Sequence, residues 1–122
     1  MDPRSLVRLQ ALGRIALGGG MALAPGLVAG AWVGGVADKP EGQPLAVGLG
    51  ARDVALGLGA LRALHAGHGA GDWVRAGILA DAADLVATLR ARDRLPPLAV
   101  PAVTVLAGSS VLLGVWLQSS VD

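Results

Sequence analysis

The sequence predicts an all-α fold: an integral membrane four-helix bundle with short loops, in one transmembrane domain over residues 1–122. Three observations predict it. Hydrophobic residues make up 53% of the chain, and mean hydropathy is +0.60. Charged residues make up only 16%, against roughly 25% in ordinary soluble domains. Ile15–Val36 and Leu98–Leu117 run for 22 and 20 residues without a charge, and about 20 helical residues cross a ~30 Å hydrocarbon core.

The expected spans are approximately 15–36, 44–65, 73–89 and 98–117. Arg4, Arg8 and Arg14 precede the first, and Ala22-Leu23-Ala24 resembles a leader-cleavage site. The apolar run continues past that site for a full span, however, so an uncleaved helix is expected. Residues 4–14 then lie along the membrane interface, and Pro25 sits mid-span, where it should kink the helix. The second span, Pro44–His65, carries Arg52, Asp53 and Arg62. The third, Trp73–Leu89, carries Arg75, Asp81 and Asp84. The connections 37–43, 66–72 and 90–97 are short and polar, which suits antiparallel neighbours. Trp32, Trp73 and Trp116 fall near span ends, the interfacial depth that indole prefers.

Composition narrows the packing and the partners. The chain has 19 Gly and no Phe or Tyr, so its helices should pack by close backbone approach. Gly26, Gly30 and Gly34 form a double G-x-x-x-G. This glycine zipper is expected to serve packing within the bundle or a homo-oligomer contact. Gly48, Gly50, Gly57 and Gly59 offer the same on the second span. A net charge of +1 points away from nucleic acid, leaving the lipid bilayer as the expected partner. With the N-terminus inside, five Lys or Arg face the cytoplasm (Arg4, Arg8, Arg14, Arg62, Arg75) and four face out (Lys39, Arg90, Arg92, Arg94). The better clue is the flank after the first span, Asp38-Lys39-Pro40-Glu41, which is net acidic, and the expected placement is a multi-pass protein of the cell membrane with a cytoplasmic N-terminus.

There is no cysteine, which removes disulfides, thiolate metal sites and a thiol nucleophile. No phosphate loop, dinucleotide fingerprint, hydrolase elbow or zinc-protease motif is present, so neither cofactor nor metal is expected. His65 and His68 lack an obvious third ligand. They read as a solvated loop, and Arg90, Arg92 and Arg94 as a lipid-headgroup contact.

The informative residues are Arg52, Asp53, Asp81 and Asp84, the candidate ligand- or proton-binding group. A charge at mid-bilayer costs several kcal/mol unless paired or hydrated. Counting from Pro44, Arg52 lies about 12 Å deep. Counting from Trp73, Asp84 lies about 16.5 Å from the opposite face. In a core of ~30 Å the two reach the same level. Asp81 and Asp84 share a helix face. Arg52 is expected to pair with Asp84 or Asp81 across the contact between spans two and three. Three acids against one Arg leave surplus negative charge, to be met by protonation, a cation or water.

The segments Gly50-Ala-Arg52-Asp53-Val-Ala-Leu-Gly57 and Ala80-Asp81-Ala-Ala-Asp84-Leu resemble an actinobacterial family of short four-span membrane proteins of unknown function. That family carries an Arg-Asp pair on one span and acids on the next. The resemblance implies the four-helix architecture and adds weight to the same four residues. It implies no activity.

Three functions are open on the sequence. A binding or transport protein for a proton, a cation or a small hydrophobic solute needs a cavity at the cluster, open to one face. A membrane-embedded acid/base enzyme, an isomerase or cyclase on a lipid-like substrate, needs an enclosed apolar pocket ending at the acids. An accessory subunit needs a dry, fully paired cluster.

Overall fold

Asp2 and Pro3 start the first helix. The Asp2 carboxylate accepts from the Ser5 backbone N–H at 3.0 Å and from its hydroxyl at 2.8 Å, and Pro3 occupies the first helical position. The two Ser5 bonds hold the Asp2 carboxyl below the usual carboxylate range. In the computed structural model, which describes residues 1–122, this helix (α1) runs Pro3–Leu23. Two one-turn helices follow, α2 (Pro25–Val28) and α3 (Gly30–Val33), and then a 3₁₀ turn over Gly34–Asp38. The long helices α4 (Gln43–Ala66), α5 (Ala70–Arg90) and α6 (Ala99–Leu117) complete the chain.

The last three long helices begin and end within three residues of the expected spans. The first does not match. Ile15–Val36 is not one helix: α1 starts twelve residues before Ile15 and stops at Leu23, and the chain then turns by 115° at Pro25. Pro25 removes a backbone donor and disfavours helix at the preceding Ala24, which sits at φ −137° and ψ 65°. The expected kink is thus a break. Gly34, at φ +78°, adds a second corner before the 3₁₀ turn, with a positive φ that glycine adopts readily. Residues 4–14 belong to α1 and do not form a separate interfacial segment. α4 and α6 are each long and apolar enough to cross a membrane, and α1 with Pro25–Asp38 is so if the bent pair counts as one span.

Neighbouring long helices run antiparallel, and α1 packs most closely on α4, and α5 on α6. Glycines decide the first contact. A β-carbon at Gly18 would stand 2.5 Å from the Gly50 carbonyl oxygen, and one at Gly57 2.6 Å from that of Ala11. The close-approach zipper is therefore Gly18, Gly50 and Gly57. Gly26, Gly30 and Gly34 do not share a helix: Gly26 lies against Asp38, Gly30 meets nothing within 4 Å, and Gly34 is the corner. The break at Pro25 destroys the four-residue periodicity on which the expected packing face depended. Gly59 accommodates the Trp73 indole, and Gly48 faces open space.

Polar contacts close the two ends. At one end the Arg4 guanidinium donates to the Leu64 carbonyl oxygen at 2.5 Å. There too the Asp122 carboxylate accepts from the first two amides of α5, Ala70 at 3.0 Å and Gly71 at 2.8 Å. At the other end the Trp32 indole N–H donates to the Thr88 hydroxyl at 2.9 Å. Two apolar cores lie along the molecule: Val7, Ala11, Leu64, Val74 and Leu117 with their neighbours near the first end, and Met21, Ala29, Ala37 and Ala46 near the second.

Candidate functional site

Between those cores lies a layer of charge. Starting at Asp2-Pro3, α1 carries Arg14 eleven residues inward, about 16 Å from its own end. α5 starts at the same end, and Asp81 is also eleven residues in. The two meet in a bidentate pair, Arg14 Nη1 to Asp81 Oδ1 at 3.0 Å and Nη2 to Oδ2 at 2.5 Å. Their side chains are 12% and 11% exposed. Gly77, one turn earlier on α5, makes room for the guanidinium: a β-carbon there would lie 2.7 Å from Arg14 Nη2.

One turn further along, Arg52 of α4 pairs with Asp84 of α5. Nη1 donates to Oδ1 at 3.0 Å and Nη2 to Oδ2 at 2.6 Å. The same guanidinium reaches its sequence neighbour, donating from Nε and Nη2 to Asp53 Oδ1 at 3.3 and 3.1 Å. Arg14 Nη1 stands 3.7 Å from that oxygen. The structure thus brings all four predicted residues together, and Arg52 takes Asp84 as expected.

The residue that sequence reasoning missed is Arg14. It was expected at the interface, because the uncharged run begins at Ile15 and was taken as the start of the helix. The signal that places it correctly is the Asp2-Pro3 cap, which starts the helix at residue 3 and carries Arg14 to the level of Asp81. Its presence changes the charge count. The layer holds three carboxylates and two guanidiniums, so the acid surplus is one, not two.

That surplus can be assigned to an atom. Asp81 and Asp84 each use both oxygens in a bidentate pair. Asp53 uses only Oδ1, and its Oδ2 accepts no hydrogen bond. The Asp53 side chain is 9% exposed, yet no oxygen in the molecule is both sealed and unbonded. The free oxygen thus keeps some exposed surface, and Asp53, Asp81 and Asp84 help to line an adjoining cavity with a volume of about 500 Å³. Its walls are apolar residues of α1, α3 and α6, including Leu17, Met21, Ala102, Val103 and Leu106. Arg14, Gln10 and Ser110 complete its polar part, with Gln10 Nε2 donating to Ser110 Oγ at 2.8 Å. The volume lies in the range of small-molecule sites, and so does the pattern of apolar walls with few polar groups.

The other candidates lie outside the layer. His65, in the last turn of α4, and His68, in the turn after it, are exposed. Arg62, Arg90, Arg92 and Arg94 are exposed as well, and Arg75 pairs with Asp72 at 2.5 Å on the surface. Ser109 returns its hydroxyl to the Val105 carbonyl.

The chain matches no protein-family model, no curated protein and no solved structure.

Proposed function

We propose that this chain is a multi-pass protein of the cell membrane that binds, and in the course of transport releases, a small hydrophobic cation in the cavity between α1 and α6. The observation that carries the reading is Asp53 Oδ2, a carboxylate oxygen that accepts no hydrogen bond, on a side chain nine-tenths buried that helps to line a mostly apolar cavity. Each guanidinium already holds a carboxylate by two hydrogen bonds, and Asp53 only shares the Arg52 guanidinium through Oδ1, so the charged layer keeps a net charge of one negative. A carboxylate in low dielectric is costly alone and favourable with a cation. Apolar walls add the gain from burying hydrocarbon, roughly 25 cal/mol per Å². The best occupant therefore has one positive charge and an apolar body.

Calorimetric titration of the protein in zwitterionic lipid nanodiscs tests this. Dodecylammonium should bind, with dodecanol and laurate at least tenfold weaker. Asp53→Asn removes the surplus charge and leaves both bidentate pairs in place, so it should keep the fold and lower amine affinity at least tenfold. Equal affinity for amine and alcohol, or an undiminished Asp53→Asn variant, rejects the reading.

A further inference from the structure

The cavity's exposed residues show where it opens. Gly13 and Leu17 on α1, Ala31 on α3, and Ala102 and Leu106 on α6 are the lining residues that reach the molecular surface. All are apolar. The polar lining residues Gln10, Arg14, Asp53, Asp81, Asp84 and Ser110 are buried or half-buried. By the helical rise, Gly13 and Leu17 lie about 15 and 21 Å from the start of α1, and Leu106 and Ala102 about 16 and 22 Å from the end of α6. The mouth is thus halfway along the helices. It is also bracketed. Gln10 and Ser110 tie α1 to α6 on one side of it, and Trp32 and Thr88 tie α3 to α5 on the other.

We propose that the cavity opens sideways into the lipid between α1 and α6, so that its ligand is a single-chain hydrophobic amine entering from within the bilayer. The inference rests on the function proposed above and adds the route and the ligand's shape. A mouth whose exposed residues are Gly, Ala and Leu, at mid-membrane depth, gives an ion in water a poor path, whereas a chain already dissolved in lipid meets it directly. The ammonium group then descends to Asp53 while its chain lies along Leu17 and Leu106 or extends back into the bilayer. The volume suits one chain and not a two-chain lipid, whose second chain would remain outside.

The chain has no cysteine, so single cysteines at the mouth report its surroundings cleanly. In nanodiscs, Gly13→Cys and Ala102→Cys should react with N-ethylmaleimide, which enters lipid, and at least tenfold more slowly with a charged sulfonated thiol reagent confined to water. Ala102→Phe, which narrows the mouth without touching the charged layer, should lower dodecylammonium affinity or slow its binding at least tenfold. Ethylammonium, too polar to load from lipid, should not compete. Dodecylammonium binding by the native protein, with the Gly13→Cys and Ala102→Cys variants reacting rapidly with the charged reagent, overturns the lateral route alone. So does Ala102→Phe protein that binds as fast and as tightly as native. Native protein that binds no amine overturns the function proposed above and this inference with it.

Discussion

Arg14 and Asp81 each depend on the other for their place in the interior. Two hydrogen bonds join them across α1 and α5, and little water reaches either. Replacing such a pair by apolar residues of similar size is often nearly neutral, whereas removing one partner strands a buried charge at a cost of roughly 3–5 kcal/mol. Arg14→Leu should therefore destabilise by about 3–5 kcal/mol, and Arg14→Leu with Asp81→Leu by markedly less. Detergent-induced unfolding in mixed micelles measures both. Equal losses in the single and double variants would show that the pair is not coupled as the geometry requires. Asp53 is a member of neither bidentate pair, and an Asn oxygen can still accept from Arg52 where Asp53 Oδ1 does, which is why Asp53→Asn should change binding and spare the fold. Its role was not separable from that of Asp81 and Asp84 in the sequence, where three carboxylates at one depth look alike. Only the direction of each oxygen distinguishes them.

At the scale of elements, spacing alone does not say which glycines matter. Gly57 lets α1 pass close to α4, while Gly48, on the same helix, faces open space. Gly57→Ala places a methyl group against the Ala11 carbonyl and should cost about 1–3 kcal/mol through overpacking. Gly48→Ala meets nothing and should be neutral, or stabilise by up to about 1 kcal/mol through helix propensity. Gly30→Ala should also be tolerated, because Gly30 has no neighbour for a methyl group to displace. The same detergent titration reads all three. A large loss at Gly30 would restore the G-x-x-x-G face that the break at Pro25 removes. The helices α4, α5 and α6 were legible because each is a single, mostly apolar run bounded by Gly, Pro or charge. The first was not, because the hydropathy of Ile15–Val36 is continuous across a break in the backbone. Hydropathy records solvent preference, and a proline stops a helix without changing it.

Across the whole molecule, charge falls into three zones. Of the ten Lys and Arg residues, Arg14 and Arg52 lie in the buried layer. Arg4, Arg8, Arg62 and Arg75 stand at one end, and Lys39, Arg90, Arg92 and Arg94 at the other. The bias of five to four that favoured a cytoplasmic N-terminus depended on Arg14, and without it the count is four to four. Loop Lys and Arg set membrane orientation, so the count by itself gives no preference. A reporter fused after Asp122 should read both sides of the membrane in comparable amounts, and two Lys added between Ala91 and Pro97 should turn that loop to the cytoplasm. A native protein found wholly in one orientation would show that something other than loop charge directs insertion.

The sequence by itself determined the helical class, the three later helices, and a layer of Arg52, Asp53, Asp81 and Asp84. These follow from local quantities: hydropathy along the chain, the 1.5 Å rise, and the rarity of charge in long apolar runs. The tertiary structure alone decided that Arg14 belongs to the layer and that the glycines in close contact are Gly18, Gly50 and Gly57. It also decided that one oxygen of Asp53 accepts no hydrogen bond, on a side chain that helps to line a cavity. Each of these depends on which faces of separate helices meet, and that is settled by backbone direction at Pro25 and by side-chain geometry between helices, neither of which is written in any one segment. The buried charge read from the sequence thus becomes a specific arrangement of two closed pairs and one open carboxylate.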